Sequence, residues 1–312
     1  MEYVLLIIGL IVLVVAGELL VRGAVGMALK FKISPLVIGM TIVSFGTSAP
    51  ELLVSIRAAI DGHPELAIGN VLGSNIANIA LVLGLSTMLL PITIKRTTKV
   101  LDWPIMFLAT LLFYVFALNR NFDWWEGLIY VLGLITFNIY LFWKSMRDNK
   151  SALIDNVEIE EDSNLNLPKS LLFILIGIVG LAYGAKWLLN GAVDIATNFG
   201  VTEHVIGVTI LAFGTSIPEL ITSIMAALKK QTDISVGNLI GSNIFNLMAV
   251  LGITSLIKEI PISEQVIQND VFWVLGISLL LFPLMAFKNR IGRVSGAILF
   301  ASYCLYIYFV VS

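Results

Sequence analysis

The chain has 312 residues, of which 58% are hydrophobic and 13% are charged, and its formal net charge is −2. A soluble domain usually carries about 25% charged residues, so the composition excludes an ordinary soluble protein, and the small net charge does not indicate a nucleic-acid partner. The single cysteine, Cys304, excludes disulfides within the chain and metal sites built from several cysteines.

Apolar runs of about 20 residues, the length that crosses a bilayer, recur along the chain. The first run lacks a basic leader and a small-residue cleavage site, so we predict a transmembrane helix there and not a removed signal peptide. An N-terminal half (1–143), a linker (144–169) and a C-terminal half (170–312) are expected, in an all-α polytopic membrane protein. The predicted spans are 3–25, 35–60, 66–91, 100–118, 124–143, 170–191, 203–228, 234–258, 268–287 and 292–311.

A long stretch occurs twice, at 37–84 and at 205–252, with a constant offset of 168 and about 26 identical positions. Its first copy contains the sequences GTSAPE and GNVLGSNIAN, and its second contains GTSIPE and GNLIGSNIFN. Most of what repeats is polar or breaks helices. Such residues are costly inside membrane spans, so the repeat indicates a functional site.

Basic residues concentrate in the loops that follow spans 1, 3, 5, 7 and 9, which all lie on one side of the membrane. The positive-inside rule therefore predicts a cytoplasmic linker and two extracellular termini. Because each half has an odd number of spans, the second half enters the membrane from the opposite side. The two repeats are thus predicted to be inverted, an architecture typical of secondary transporters.

Span 2 combines ion-binding and helix-breaking residues within two turns. Thr47, Ser48 and Glu51 lie close together on a helix, and Pro50 cannot donate a hydrogen bond to the carbonyl of Gly46. We expect an unwound turn whose carbonyl oxygens lie beside two hydroxyls and a carboxylate. The second copy in span 7 has the same set, Thr215, Ser216, Pro218 and Glu219.

Span 3 adds Ser74 and Asn78, one turn apart, and its glycines Gly69 and Gly73 are spaced for close helix approach. If the four repeated helices come together, all the ligands are oxygens, as hard cations such as calcium prefer, and two glutamates neutralise one divalent ion. Supporting or packing roles are expected for Thr41, Ser55, Asn75 and their counterparts Thr209, Ser223 and Asn243. Span 8 repeats the pattern of span 3 with Gly237, Gly241, Ser242 and Asn246.

The residues alone leave more than one function open. A passive cation channel would use similar ligands, although inverted broken helices fit a carrier better than a pore. An intramembrane enzyme would need a Ser–His pair, an aspartate pair or a His-rich metal motif, and the predicted spans contain none of these. We therefore expect no catalytic residues and no enzyme.

The paired motifs resemble the two alpha-repeats of the calcium/cation antiporter superfamily. The length, the five-plus-five layout and the short central loop are similar to those of its prokaryotic sodium/calcium exchangers, and the resemblance covers nearly the whole chain. It implies alternating-access exchange of sodium for calcium, commonly three for one, with spans 1 and 6 sliding as the gate. The implied substrates are Na⁺ and Ca²⁺, without a cofactor, and one chain in the bilayer contains both halves of its site and needs no second subunit.

The resemblance also implies which residues bind ions. Glu51 and Glu219 correspond to the calcium ligands, together with the backbone carbonyls of Thr47 and Thr215. Asparagine at Asn246, where potassium-dependent relatives carry aspartate, resembles the potassium-independent type. A calcium/proton antiporter on the same fold is the alternative, in which the two glutamates carry protons. The flanking sodium sites correspond to Ser48, Ser74, Ser216, Ser242 and the carbonyls of Ser44 and Ala212, and the middle position to Asn78 and Asn246.

Overall fold

The computed structural model describes residues 2–148, 165–200 and 214–311, which form helices, connecting loops and two short sheets. Helix boundaries follow helix-breaking residues and loops in the sequence, as between Phe31 and Pro35. The helices are α1 (Glu2–Phe31), α2 (Pro35–Thr47), α3 (Ala49–Ile60), α4 (Glu65–Leu89), α5 (Thr98–Ala117), α6 (Trp124–Asp148), α7 (Leu167–Asn198), α8 (Ile217–Leu228), α9 (Thr232–Ile257), α10 (Val266–Ala286) and α11 (Arg293–Val311).

Among the described residues, eight helices are long and apolar enough to cross a membrane, and α2 with α3 forms a ninth, bent span. These nine agree with nine predicted spans, but α1 and α7 are longer than predicted, at 30 and 32 residues. The remaining predicted span, 203–228, is described only from Gly214 onwards, where α8 covers its last part. The count of ten spans therefore stays a prediction.

The helices expose many large apolar side chains. Leu53 in α3, Val100 in α5 and Ile139 in α6 each expose about two thirds of their surface, at 68%, 66% and 65%. Exposed apolar surface on this scale marks contact with a partner or a membrane. Together with the helix lengths, it indicates a multi-pass membrane protein.

Five segments within these helices form wider π-helical turns, which are rare and frequently lie at functional sites. Two of them, Ala77–Leu83 in α4 and Asn246–Leu251 in α9, contain the predicted ligands Asn78 and Asn246. Two more, Thr98–Asp102 and Val266–Asp270, occupy equivalent positions in the two sequence halves, at the offset of the repeat. The fifth is Gly39–Val43 in α2, and a single 3₁₀ turn covers Phe287–Asn289.

Two small antiparallel sheets each join a strand of the first sequence half to a strand of the second. Strand β1 (Ile92–Thr93) pairs with β4 (Arg290–Ile291), and β2 (Asn121–Phe122) pairs with β3 (Ile260–Pro261). In each strand the apolar residue Ile92, Phe122, Ile260 or Ile291 is fully buried. The short strands therefore tie loops of the two sequence halves together, with one apolar side chain of each strand buried.

The chain divides into two compact units, each built from both sequence halves. The first comprises the described parts of Met1–Thr47 and Thr136–Gly241. In it, α1 packs against α7 so closely that an added Cβ at Gly9 would lie 2.5 Å from the backbone nitrogen of Leu188. Small residues on both helices permit this backbone contact.

The second unit comprises Ser48–Ile135 and the described part of Ser242–Ser312. Its core includes Phe113 and Phe122, whose ring centroids are 5.9 Å apart, and Tyr130, which donates a 2.7 Å hydrogen bond to the carbonyl of Ala109. The indole nitrogen of Trp103 donates a 2.8 Å hydrogen bond to the carbonyl of Ser278. Buried aromatic side chains with a satisfied polar atom anchor this unit.

Candidate cation site

The first broken turn lies between α2 and α3. Ser48 has φ −91° and ψ 4°, outside the helical range, and the next helix starts at Ala49 with Pro50 as its second residue. Proline is favoured in a first turn and disfavoured inside a helix, which explains why the helix restarts there. The helix break predicted from Pro50 is confirmed, but it is confined to Ser48, because Gly46 stays within the regular helix Ser44–Thr47.

The second copy breaks at the equivalent residue. Ser216 has φ −88° and ψ 5°, and α8 begins at Ile217 with Pro218 as its second residue. The backbone angles at Ser48 and Ser216 thus agree within a few degrees although the two residues belong to different units. The same local sequence produces the same break twice.

Each break places a glutamate in the first turn of the helix that follows. Glu51 in α3 and Glu219 in α8 are both completely buried, with 0% of their surface exposed. The positive end of the helix dipole favours a carboxylate there, by about 0.3–2 kcal/mol. That is well below the cost of burying an ionised carboxylate, so the dipole alone does not account for the two buried glutamates.

In the first unit, Asn238 on α9 connects the two broken helices. The Thr47 hydroxyl donates to Oδ1 of Asn238 at 3.0 Å. In turn, Nδ2 of Asn238 donates to the Ser223 hydroxyl at 3.1 Å and makes a longer, 3.5 Å contact to the carbonyl oxygen of Glu219. One fully buried amide therefore contacts both the turn at Thr47 and the helix that carries Glu219.

In the second unit, Asn70 on α4 makes the equivalent bonds to α3. Its Nδ2 donates to the carbonyl oxygen of Glu51 at 3.2 Å and to the Ser55 hydroxyl at 3.0 Å. Asn70 and Asn238 were not among the predicted site residues. Their equivalent positions in the two repeated GN dipeptides were the signal that could have identified them.

Asn78 and Asn246 are both fully buried within π-helical turns of the second unit. Among the described residues, neither polar atom of the Asn78 amide has a hydrogen-bond partner. The amide nitrogen of Asn246 donates to Oδ1 of Asn75 at 3.2 Å, whereas its oxygen has no partner in the described part of the chain. Buried amide oxygens without a hydrogen bond can serve a cation.

Two glycines of α9 confirm the close helix approach predicted for this motif. In the first unit, an added Cβ at Gly237 would lie 2.4 Å from the carbonyl oxygen of Leu36, and one at Gly241 would lie 2.6 Å from Cα of Met40. For Gly69 and Gly73, no atom of the described residues lies within 4 Å of an added Cβ. The close approach is therefore observed for one of the two glycine pairs.

The other predicted site residues are distributed between the two units as follows. Ser44 donates from its hydroxyl to the carbonyl of Met40 at 2.6 Å, and Thr47 also donates to the carbonyl of Ser44 at 3.3 Å. Thr215 is partly buried, and Ala212 lies outside the described residues. The first unit contains Ser44, Thr47, Thr215, Ser216 and Glu219; the second contains Ser48, Glu51, Ser74, Asn78, Ser242 and Asn246. Except for Thr215, all of these are buried.

The supporting roles expected for several polar residues agree with their contacts. The hydroxyl of Thr41 bonds to the carbonyl of Val37 within its own helix at 2.7 Å, and Ser55 and Ser223 contact the two asparagines described above. Asn75 and Asn243 contact one another. Thr209 lies outside the described residues.

Comparison with known proteins finds a family and relatives that match nearly the whole chain. The family model for sodium/calcium exchanger proteins matches residues 1–143 and 169–312. The sodium/calcium exchanger MaX1 of Methanosarcina acetivorans is 30% identical over 98% of this chain and 97% of its own length. An uncharacterized membrane protein of Methanocaldococcus jannaschii is 38% identical, with 96% and 94% covered.

A solved structure has the same fold. The sodium-calcium exchanger NCX_Mj, soaked without Na⁺ and Ca²⁺, superimposes with a TM-score of 0.83 at 30% identity, over 99% of this chain and 98% of that one. The relatives whose function is named, MaX1 and NCX_Mj, are sodium/calcium exchangers and not enzymes.

Proposed function

This chain belongs to the sodium/calcium exchanger family, and from that membership we propose that it exchanges Na⁺ for Ca²⁺ across a membrane by alternating access. The observation that carries the proposal is the duplicated glutamate. Glu51 and Glu219 are each fully buried in the first turn of a helix that follows a broken turn. A carrier of divalent cations needs buried carboxylates, whereas a packed membrane protein without ions would avoid them.

The ligands that we propose are those implied by the family resemblance. Calcium is bound by the carboxylates of Glu51 and Glu219 and by the carbonyls of Thr47 and Thr215. The burial of Glu51, Glu219 and Thr47 and the breaks at Ser48 and Ser216 support this assignment. Sodium is bound by Ser48, Ser74, Ser216, Ser242 and the carbonyls of Ser44 and Ala212, and the middle position is lined by Asn78 and Asn246.

We further propose ten spans in two inverted halves, with extracellular termini and a cytoplasmic linker in the cell membrane. The strand pairing supports the inverted repeat. Strand β3 follows β1 at the offset of the sequence repeat, and β4 follows β2 at nearly the same offset. Because β1 pairs with β4 and β2 with β3, a two-fold rotation that exchanges the halves carries one sheet onto the other.

Competition of the two ions for the same carboxylates couples their movements. Either ion neutralises the glutamates and allows the change between outward and inward states, which the doubly charged empty site resists. With three Na⁺ for one Ca²⁺, one net charge crosses per cycle, worth about 2.3 kcal/mol per 100 mV. Transport by a single chain, independent of potassium, completes the proposal.

The test is uptake of radioactive calcium into proteoliposomes loaded with sodium, with choline outside. Uptake is expected to require internal sodium, to continue when a protonophore removes any pH gradient, and to be faster when the vesicle interior is made positive. An inside-positive potential favours exit of the surplus charge. Uptake that ignores sodium and follows a pH gradient would replace the proposal with calcium/proton antiport.

A further inference from the structure

Asn238 is the fully buried residue that contacts both broken helices of the first unit. Its Oδ1 accepts the hydrogen bond of the Thr47 hydroxyl at 3.0 Å. Its Nδ2 donates to the hydroxyl of Ser223 at 3.1 Å and lies 3.5 Å from the carbonyl oxygen of Glu219. Three groups on two different helices therefore converge on one side-chain amide.

The short amide of asparagine suits this position, whereas neither aspartate nor an apolar residue does. Asparagine offers an acceptor oxygen and a nitrogen with two hydrogens on a short side chain. Aspartate would keep the acceptor for Thr47 but would lose the donors to Ser223 and Glu219, and an apolar residue would lose both. Because the site is fully buried, water cannot replace the lost bonds.

The helix that Asn238 contacts through Thr47 ends in the residues that the proposed function assigns to ion binding. Ser44 and Thr47 contribute backbone carbonyls there, and Ser48 begins the break. The helix contacted on the other side carries Glu219 in its first turn. A change in the distance between these two helices would move ligands on both sides of an ion.

We propose that Asn238 is a positioning residue for ion exchange: its amide holds the turn at Thr47 against the first turn of the helix that carries Glu219. This inference rests on the proposed function, because the positioned groups are the proposed ligands. Asn238 is not itself one of the proposed ion ligands. Its effect is to keep the carbonyls of residues 44–47 and the Glu219 carboxylate at a spacing that suits sodium and calcium.

The second unit repeats half of this arrangement. Asn70, the counterpart of Asn238 in the first sequence repeat, donates to the carbonyl oxygen of Glu51 at 3.2 Å and to Ser55 at 3.0 Å. Four contacts of the same type, two in each unit, join the same kinds of atoms at a constant offset. Helix packing alone would not require an amide at this position twice, so the recurrence favours a role at the binding site.

The experiment compares wild type with Asn238→Ala, Thr47→Val and the double variant in proteoliposomes. For each protein, the maximal uptake rate and the calcium and sodium concentrations for half-maximal uptake are measured, with the rate normalised to monodisperse protein. Each single variant is expected to raise the half-saturating concentrations by about 3- to 30-fold, with the maximal rate changed less than about twofold. The two increases are not expected to multiply in the double variant, because both remove the same hydrogen bond.

Thr110→Val is the matched control, because it removes a buried hydroxyl that bonds within its own helix, to the carbonyl of Met106 at 3.0 Å, and leaves every contact of the Asn238 amide in place. Its half-saturating concentrations are expected to stay within about twofold of wild type. If Asn238→Ala cannot be purified, Thr47→Val carries the test, since it keeps the branched shape of the side chain and removes only the hydroxyl.

A lower maximal rate with unchanged half-saturation would overturn the inference, because loss of folded protein reduces the rate and leaves ion affinity alone. Multiplicative effects in the double variant would also overturn it. If the proposed function itself is wrong, the result is different: the wild-type protein takes up calcium without internal sodium. In that case the calcium half-saturation still reports whether Asn238 positions the ligands.

Discussion

The side-chain nitrogen of Asn75 donates a 3.2 Å hydrogen bond to the backbone carbonyl of Asn243, the residue at the equivalent position of the second repeat. In an assembly with two-fold symmetry, a residue can contact its own counterpart only near the axis. Asn75 and Asn243 therefore mark where the pseudo-two-fold axis of the proposed inverted repeat would pass. The proposed ligands Ser74 and Ser242 are their immediate chain neighbours.

The first prediction concerns the two buried glutamates. Glu51→Gln and Glu219→Gln are each expected to reduce calcium uptake by a factor of about 100 or more, because under the proposed function each buried carboxylate supplies one of the two charges that balance Ca²⁺. Uptake of radioactive calcium into sodium-loaded proteoliposomes measures the effect. Glu65→Gln, at an exposed position that begins α4, is the control and should transport like wild type. Full transport by either buried variant would disprove the assignment.

The second prediction concerns Asn75. Its Oδ1 accepts a 3.2 Å hydrogen bond from Nδ2 of Asn246 and so orients that side chain, whose oxygen belongs to the proposed middle position. Asn75→Ala is expected to raise the half-saturating calcium concentration by about 3- to 10-fold. Thr110→Val removes a buried hydroxyl that bonds within its own helix at 3.0 Å and should leave the calcium affinity unchanged. An equal loss in both variants would indicate general damage.

The main features of the site could be predicted from the sequence because they depend on local chemistry. Pro50 and Pro218 predict the breaks at Ser48 and Ser216, because proline disrupts the preceding turn of its own helix whatever that helix packs against. The burial of Glu51 and Glu219 follows from their place in apolar spans. Their recurrence at a constant offset in the sequence distinguished these residues from the many other polar residues of the chain.

What could not be predicted depends on which residues meet in space. The sequence predicts that Asn238 lies on a helix, but it does not reveal which neighbouring helices supply the hydrogen-bond partners of its amide. Glu18 has a visible partner in Arg22, one helical turn on, and the structure confirms that pair at 2.7 Å. Its second partner, Lys229, lies in the other half of the sequence, and only the packing of α1 near the end of α8 brings it to 3.1 Å.

The third prediction tests the close approach of α9 to α2. An added Cβ at Gly237 would lie 2.4 Å from the carbonyl oxygen of Leu36 and 3.0 Å from the backbone nitrogen of Met40, and backbone atoms cannot move aside as a side chain can. Gly237→Ala is expected to destabilise the protein by about 1–3 kcal/mol, seen as a lower unfolding temperature in detergent. Gly276→Ala is the control: Gly276 is exposed on α10, and no described atom lies within 4 Å of an added Cβ. An unchanged unfolding temperature for Gly237→Ala would show that this contact is not close in the folded protein.

The fourth prediction concerns the ion pair between Glu18 of α1 and Lys229, which follows α8. Both side chains are only partly exposed, at 34% and 23%, and the pair links α1 to the turn that follows α8 within the first unit. If α1 slides during transport, as the family resemblance implies, this contact stabilises the described state and must break. A partly exposed pair is worth about 0–1 kcal/mol, so Glu18→Gln and Lys229→Gln are expected to increase the turnover rate by up to about fivefold.

Ion affinity should be unchanged in both variants, because neither residue is a proposed ligand. The double variant should turn over no faster than the faster single variant, since both changes remove one interaction. Asp61→Asn is the control, because its 2.8 Å pair with Arg57 lies at the exposed end of a single helix and joins nothing that moves separately. A shift in half-saturating calcium with a constant turnover rate would place Glu18 at the ion site and would contradict a role in the motion of α1.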